Sequence, residues 1–411
     1  MLLLHRQIKT KKRIVPKEEI KIIYLQKLFY IKSSMKYFFY IAVFNAFFFT
    51  LLLFQKKTRK VHDNILIVWL TYLGLFIGGY SLYSHELFTQ FHILSASFIS
   101  LFMLQGAFLY LYVSRLVSKR KRFNKKLLLH LLPFVAFNLY LAVASFFPDV
   151  ANEIRLENVH TNVHHPLLFQ LFLILTLLSG PFYILLTLNL LKRHDINVFN
   201  NFSSIDNVNL AWLRKLVIIF GIIWTALIII TVIHHVFNLF SMVFCTDSLF
   251  LTLSVFVILI GYFGLKQKVI FENEFEEEIV ITEEKVKYAS STLKENEANE
   301  YSQQLMEYMR SEKPYLNPEL TLTQLASEID VSTHHLSQII NEQFQLNFFE
   351  FINQFRVKEV KSRINDPKYE NYSLLGIALD SGFNSKSSFN RIFKKLTNQT
   401  PSQYRSVLAE K

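Results

Sequence analysis

The sequence predicts an all-α chain: a seven-transmembrane helical bundle, then a tandem helix-turn-helix domain whose two units are joined by a long connecting helix. Three observations predict it. Apolar runs of about 20 residues, the length that crosses a bilayer, recur seven times between residues 36 and 265. Hydrophobic residues make up 51% of the 411, more than a soluble chain of this length needs. Beyond residue 300 the pattern changes to short polar segments with apolar residues at helical spacing and capping residues at their starts.

The apolar runs lie at 36–54, 65–83, 91–113, 127–147, 166–191, 213–237 and 249–265. The formal charge of +12 collects beside them. "QKKTRK", "SRLVSKRKRFNKK", "KRHD" and "KQK" follow the first, third, fifth and seventh runs, whereas "SHELFTQ", "PDVANEIRLENVHTNVHHP" and "NLFSMVFCTD" fall between the others. Short cytoplasmic loops collect Lys and Arg. The alternation therefore predicts a multi-pass protein of the inner (cytoplasmic) membrane, with its amino end outside and its carboxyl end in the cytoplasm.

Four segments are expected. Residues 1–35 are a basic extension with too many charges for a span and no small-residue cleavage site after an apolar core. Met35 stands directly before the first run, so the upstream part is expected to be a start-site artefact. Residues 36–265 form the seven-span part, expected to be the sensor, and 266–304 an acidic linker containing "FENEFEEEIVITEEKVKYASSTLKENEANE". Such a segment reads as a solvated spacer, weighed against an acidic segment that masks the basic helix beyond it. Residues 305–411 form the last domain.

Within that domain, "LTLTQLASEIDVSTHHLSQIINEQF" opens with Thr321 and Gln324 at capping-box spacing. Leu322, Leu325, Ala326 and Ile329 form one buried face and Leu336, Ile339 and Ile340 the next. Between them, Asp330 is expected to take the left-handed conformation and Ser332 to cap the second helix. Thr333, His334, Ser337, Gln338 and Asn341 are left facing solvent. The arrangement repeats in "YSLLGIALDSGFNSKSSFNRIFKKLTN", with Gly382 at the turn and Ser385 as cap. There Phe389, Ile392 and Phe393 point inward, Lys386, Ser387, Ser388, Asn390 and Arg391 outward, and Lys394 and Lys395 lie behind them. Amide, hydroxyl and guanidinium groups suit base edges, and ammonium groups suit phosphates. The amphipathic run at 347–364, about 27 Å as a helix, spaces the two units for successive major grooves of double-stranded DNA.

From about Lys313 to Arg405 the sequence resembles the DNA-binding domain of the AraC/XylS family of bacterial transcription regulators. The segments that carry the resemblance are "LTQLASEIDVSTHHLSQIINEQF", "FINQFRVKEVKSRI" and "IALDSGFNSKSSFNRIFKKLTNQTPSQYR". It implies that His334, Ser337 and Gln338 in the first unit, and Lys386, Ser387, Ser388, Asn390 and Arg391 in the second, lie at the DNA. Asp330, Gln345 and Asn398 stand where many members have glycine. Some regulators with such a module carry a multi-span membrane domain before it. By analogy the spans here would receive an extracellular or membrane-borne signal, and the output would be DNA binding or access for RNA polymerase.

No cofactor and no metal are expected. The single cysteine, Cys245, cannot close a disulfide within the chain or supply a thiolate pair for zinc. The sequence contains no HExxH, GxSxG, Walker or kinase signature, so no catalytic constellation supports an enzyme. Among polar groups at membrane depth, Asn45, Gln105, Asn138 and Gln170 are expected to bond neighbouring helices. "SGP" at 179–181 is expected to break the fifth run with a kink or a cavity lining. His160, His164, His165, His234 and His235 lie toward the outer side and form a candidate signal site, weighed against ordinary interfacial histidines. Two alternatives to a membrane-tethered regulator stand beside it: release of the DNA domain by proteolysis in the linker, and a transporter-like protein with a protein-binding carboxyl domain.

Overall fold

The computed structural model describes residues 17–57, 59–82, 92–118, 125–154, 165–206, 208–237, 242–266 and 295–409. The described elements are helical apart from one isolated antiparallel bridge between Phe202 and Thr321. Two compact units result. The described residues within 1–112, 123–183 and 219–266 form the first, and those within 113–122, 184–218 and 267–411 the second. Of the basic extension, residues 1–16 lie outside the described residues, and so does 267–294 of the acidic linker.

The apolar part runs through α1 (Lys17–Gln55), α2 (Val61–Ser81), α3 (His92–Ser100), α4 (Phe102–Leu116), a 3-10 turn (Lys125–Leu131), α5 (Leu132–Ala144), α6 (Pro148–Glu153), α7 (Leu167–Asn201), α8 (Ala211–Phe237) and α9 (Met242–Lys266). Among the described residues, seven helical stretches are long and apolar enough to cross a membrane. A helix satisfies its backbone groups internally, which is why such runs adopt it where water is scarce. The start of α2 is fixed by Asp63, whose carboxylate accepts the Lys60 backbone N–H at 2.9 Å and the Lys56 ammonium at 3.0 Å.

Aromatic rings fill the core of the first unit. Phe76 has Phe98 and Phe102 at 4.9 Å and Phe250 at 5.0 Å between centroids, and Trp69 lies 5.4 Å from Phe256. Two of the four expected polar bridges join helices. Asn138 on α5 donates to Ser100 Oγ (2.8 Å) and accepts from Ser97 (2.5 Å), and Gln105 on α4 donates to the Tyr72 hydroxyl of α2 at 3.1 Å. Asn45 and Gln170 instead donate to nearby carbonyls of their own stretch, Ile41 and His165, at 2.8 Å each.

The third apolar run is one membrane-length stretch with a local break: α3 and α4 part at Leu101, whose carbonyl accepts the Tyr72 hydroxyl at 2.6 Å and the Leu104 N–H at 3.0 Å, an i to i+3 turn. One expectation is corrected. The fifth run, by contrast, is not interrupted at 179–181, since α7 continues through with Pro181 inside it. Gly180 has a packing reason instead, because a Cβ there would collide with the Trp224 indole.

The polar part of the second unit consists of α10 (Glu295–Ser311), a 3-10 turn (Pro314–Leu316), α11 (Leu322–Glu328), α12 (Thr333–Gln343), α13 (Phe348–Ile364), a 3-10 turn (Pro367–Tyr369), α14 (Leu374–Asp380), α15 (Lys386–Thr397) and α16 (Pro401–Ala409). Leu305 and Met309 of α10 join Leu325, Ile329, Leu336, Ile340 and Ile352 in one core. Ile377, Ala378, Phe383, Phe389, Ile392 and Phe393 are buried in the second lobe. The long helix α13 packs against α12 in the first lobe and against α14 and α15 in the second, so it is the spine that sets their spacing.

Candidate nucleic-acid interface

Each helix-turn-helix unit is built from local chemistry. Thr321 caps α11 by accepting the Gln324 N–H at 3.2 Å, and the Gln324 side chain returns to the Thr321 N–H at 3.0 Å. Ser332 caps α12 through the His335 N–H at 3.1 Å, and Ser385 caps α15 through the Ser388 N–H at 3.2 Å. Both turns use positive φ, 55° at Asp330 and 91° at Gly382. A Cβ at Gly382 would meet the Tyr315 carbonyl oxygen, so only glycine fits. Gln345 (φ 55°) and Asn398 (φ 59°) also take the left-handed conformation where the resemblance leads one to expect glycine.

The second recognition helix, α15, carries an open cationic face. Lys386, Asn390 and Lys394 at spacing i, i+4, i+8 lie beside Ser387 and Arg391, and all five are exposed. Lys395 is exposed too, but its ammonium pairs with Glu350 of α13 at 2.9 Å. Ser388 is corrected: it is 5% exposed, because it lies one turn before Ile392 at the margin of the buried stripe.

The first recognition helix, α12, differs more from expectation. Ser337 and Gln338, expected to face solvent, are 4% and 7% exposed. Ser337 lies beside the Leu336–Ile340 stripe and its carbonyl accepts the Asn341 amide at 2.8 Å, while the Gln338 amide donates to Glu342 at 3.0 Å. His334 is half-buried with its ring 6.1 Å from that of His335.

Sequence reasoning missed Arg356, in the middle of α13. Its guanidinium, 1% exposed, donates from Nε to the Tyr315 carbonyl (2.8 Å) and from Nη2 to the Asn317 carbonyl (2.8 Å). Nη1 and Nη2 also reach the carbonyl and hydroxyl oxygens of Ser203 at 2.9 Å each. Ser203 belongs to the segment between α7 and α8. Burial lowers the Arg356 pKa to about 9, with Glu319 acting in the opposite sense, so the group is a cation at neutral pH. One signal was available, since Asn353 and Arg356 occupy the same stripe as Phe349, Ile352 and Val360. Polar groups at buried register positions require partners.

A second polar cluster ties the carboxyl-terminal part of the spine to the 3-10 turn at Pro314–Leu316. Glu359 accepts from Arg363 (2.9 Å), Lys313 (3.2 Å) and the Tyr315 hydroxyl (3.2 Å). Burial alone would raise the Glu359 pKa, but these donors outweigh it and hold it below the ordinary value. Burial, and then the Glu359 charge, push the Tyr315 hydroxyl up to about 12.

Of the outer histidines, His160 and His164 lie outside the described residues, as do the side chains of His234 and His235. His165 Nδ1 lies 2.9 Å from the Glu153 carbonyl. Among the described residues no group of three His, Cys, Asp or Glu side chains has metal-binding geometry.

Residues 325–406 match the family model described as a helix-turn-helix domain. The chain is 36% identical over 91 residues to uncharacterized HTH-type transcriptional regulators of Staphylococcus aureus strains COL and N315, a match covering 22% of this chain and 12% of each relative. It is 30% identical over 88 residues to the melibiose operon regulatory protein of Escherichia coli K12, covering 21% of this chain and 28% of that protein. No solved structure matches. The caps, the left-handed turns and these matches coincide on one segment, and that carboxyl-terminal segment is a helix-turn-helix domain of the AraC type.

Proposed function

We propose that this chain is a membrane-embedded, sequence-specific transcription regulator. The observation that carries the reading is the face of α15: Lys386, Ser387, Asn390, Arg391 and Lys394 exposed together on a capped helix of a helix-turn-helix unit. Ammonium groups there serve phosphates, and Arg391 and Asn390 have the donors that read purine edges in the major groove. His334 in the first unit serves the adjacent groove, with α13 setting the separation.

Embedding in the cytoplasmic membrane rests on the seven apolar stretches and on their outward faces, where Phe44 is 66% and Leu75 and Ile222 are each 65% exposed. Apolar surface of that extent needs lipid rather than water. The charge of the connecting segments orients the amino end outside and the DNA-binding domain in the cytoplasm. The seven-helix part receives an extracellular or membrane-borne signal, and RNA polymerase is the further partner at the promoter.

Selection of duplexes from a randomised library by the full chain in detergent micelles tests the DNA reading. One enriched motif, lost with Arg391→Ala, is the expected result. Uniform recovery of all sequences, or the same motif at unchanged strength with Arg391→Ala, would contradict it.

A further inference from the structure

"NFSSID" at 201–206, the last residue of α7 and the segment that follows it, lies against the DNA-binding domain within the second unit. Its contacts are specific. Phe202 pairs with Thr321 in the antiparallel bridge, and the Ser203 N–H donates to the Leu320 carbonyl at 3.2 Å. Ser203, 1% exposed, receives Arg356, and its carbonyl also accepts the Asn353 amide at 3.1 Å. One turn earlier, the Phe199 ring meets Phe349 edge-on at 5.3 Å. At the far end, Asp206 accepts the Ser385 hydroxyl at 2.6 Å.

That last contact bears on DNA. Ser385 caps α15 and directly precedes Lys386, so a carboxylate sits at the amino-terminal end of the second recognition helix. This is the end that approaches bases in a helix-turn-helix complex, and it is where a helix favours an anion. A phosphate and the Asp206 carboxylate repel one another there.

We propose that 201–206 is an autoinhibitory strap: docked, it holds the domain in a state that does not engage DNA, and DNA binding requires it to leave Leu320, Arg356 and Ser385. The strap is the direct continuation of α7 and leads by residue 211 into α8, two of the membrane-length helices, so displacement of either helix by a signal moves it. The proposal rests on the DNA-binding reading above and adds its control.

The test uses the full chain in detergent micelles, carrying Cys245→Ser, Phe202→Cys and Thr321→Cys. Facing residues of an antiparallel pair lie about 4.5–5.5 Å apart, within disulfide reach. Oxidation should close the bond without DNA, and excess labelled duplex of mixed sequence at low salt should slow its closure. The oxidised protein should bind that duplex about tenfold more weakly than the same sample after reduction, as expected when the competent state becomes a minor population. In the unlinked chain Asp206→Ala should tighten binding. A bond that fails to form, equal affinity of the oxidised and reduced samples, or weaker binding by Asp206→Ala would overturn the strap. If the bond forms but neither sample binds DNA, the DNA-binding reading itself falls, and the proposal with it.

Discussion

Replacing Arg356 with Met removes a buried guanidinium while keeping an unbranched side chain of similar reach. Four hydrogen bonds disappear, to Tyr315 O, Asn317 O, Ser203 O and Ser203 Oγ. They are not equal losses. The Asn317 carbonyl keeps the Leu320 N–H at 3.3 Å, and the Ser203 carbonyl keeps the Asn353 amide at 3.1 Å. Tyr315 O and Ser203 Oγ lose the guanidinium that serves them, at about 1–3 kcal/mol for each buried polar group left unsatisfied. Removing the cation also lifts its own desolvation cost, which brings the expected net loss to about 2–4 kcal/mol. Native-state hydrogen exchange of the full chain reads it locally. Amides of α13 should exchange about thirtyfold to several hundredfold faster, at 1.4 kcal/mol per factor of ten. Those of 202–206 should lose protection with them, because Ser203 is anchored to the same group. Acceleration below about threefold in both segments, which is under 1 kcal/mol, would refute the assignment of Arg356 as the bolt between strap and spine.

Further outcomes follow from other sites. Gly382→Ala should destabilise the DNA-binding domain by about 3 kcal/mol, combining left-handed strain with overpacking against Tyr315 O; an unchanged urea midpoint in pulse proteolysis would count against it. Gln345→Gly should stabilise the same domain by about 1 kcal/mol by relieving the left-handed penalty, read by the same midpoint; no gain would mean that the Gln345 bond to the Glu342 carbonyl at 2.8 Å offsets the strain. Glu359 has a lowered folded pKa, so its contribution is present above the ordinary value of 4.5 and is lost as the pH falls below it. Glu359→Gln should therefore flatten the acid limb of stability; an equally steep limb would place the acid sensitivity elsewhere. Arg391→Ala should cost about 1–3 kcal/mol on the selected site and relax its sequence preference. Lys394→Ala should weaken all sequences alike; equal effects of both substitutions on selected and random duplexes would undo that division.

What the sequence revealed and what it hid separate along physical lines. The caps at Thr321, Ser332 and Ser385 and the turn at Gly382 were legible because each depends on residues within four positions of one another. The seven apolar stretches were legible because length and composition decide them. The parting of α3 and α4 was not, since the carbonyl freed there is served by a hydroxyl 29 residues away, that of Tyr72. Burial of Ser337, Gln338 and Ser388 escaped a reading that placed these three on the solvent face, although a small hydroxyl such as Ser337 or Ser388 fits the margin of an apolar stripe. The docked strap was least legible of all. Ser203 and Arg356 are 153 residues apart, and six polar and apolar residues in a loop carry no periodicity. The only hint was the pair Asn353 and Arg356 on a buried face, groups whose partners the local sequence does not supply.

The central claim is that a regulator reads DNA while held in the membrane. Cells are cross-linked, membranes isolated, and the DNA recovered with the full-length protein sequenced, beside an Arg391→Glu control. Discrete sites in the membrane fraction that vanish in the control are the predicted result. Recovery of no such sites, or of sites only with a soluble fragment lacking the apolar helices, would contradict regulation from the membrane.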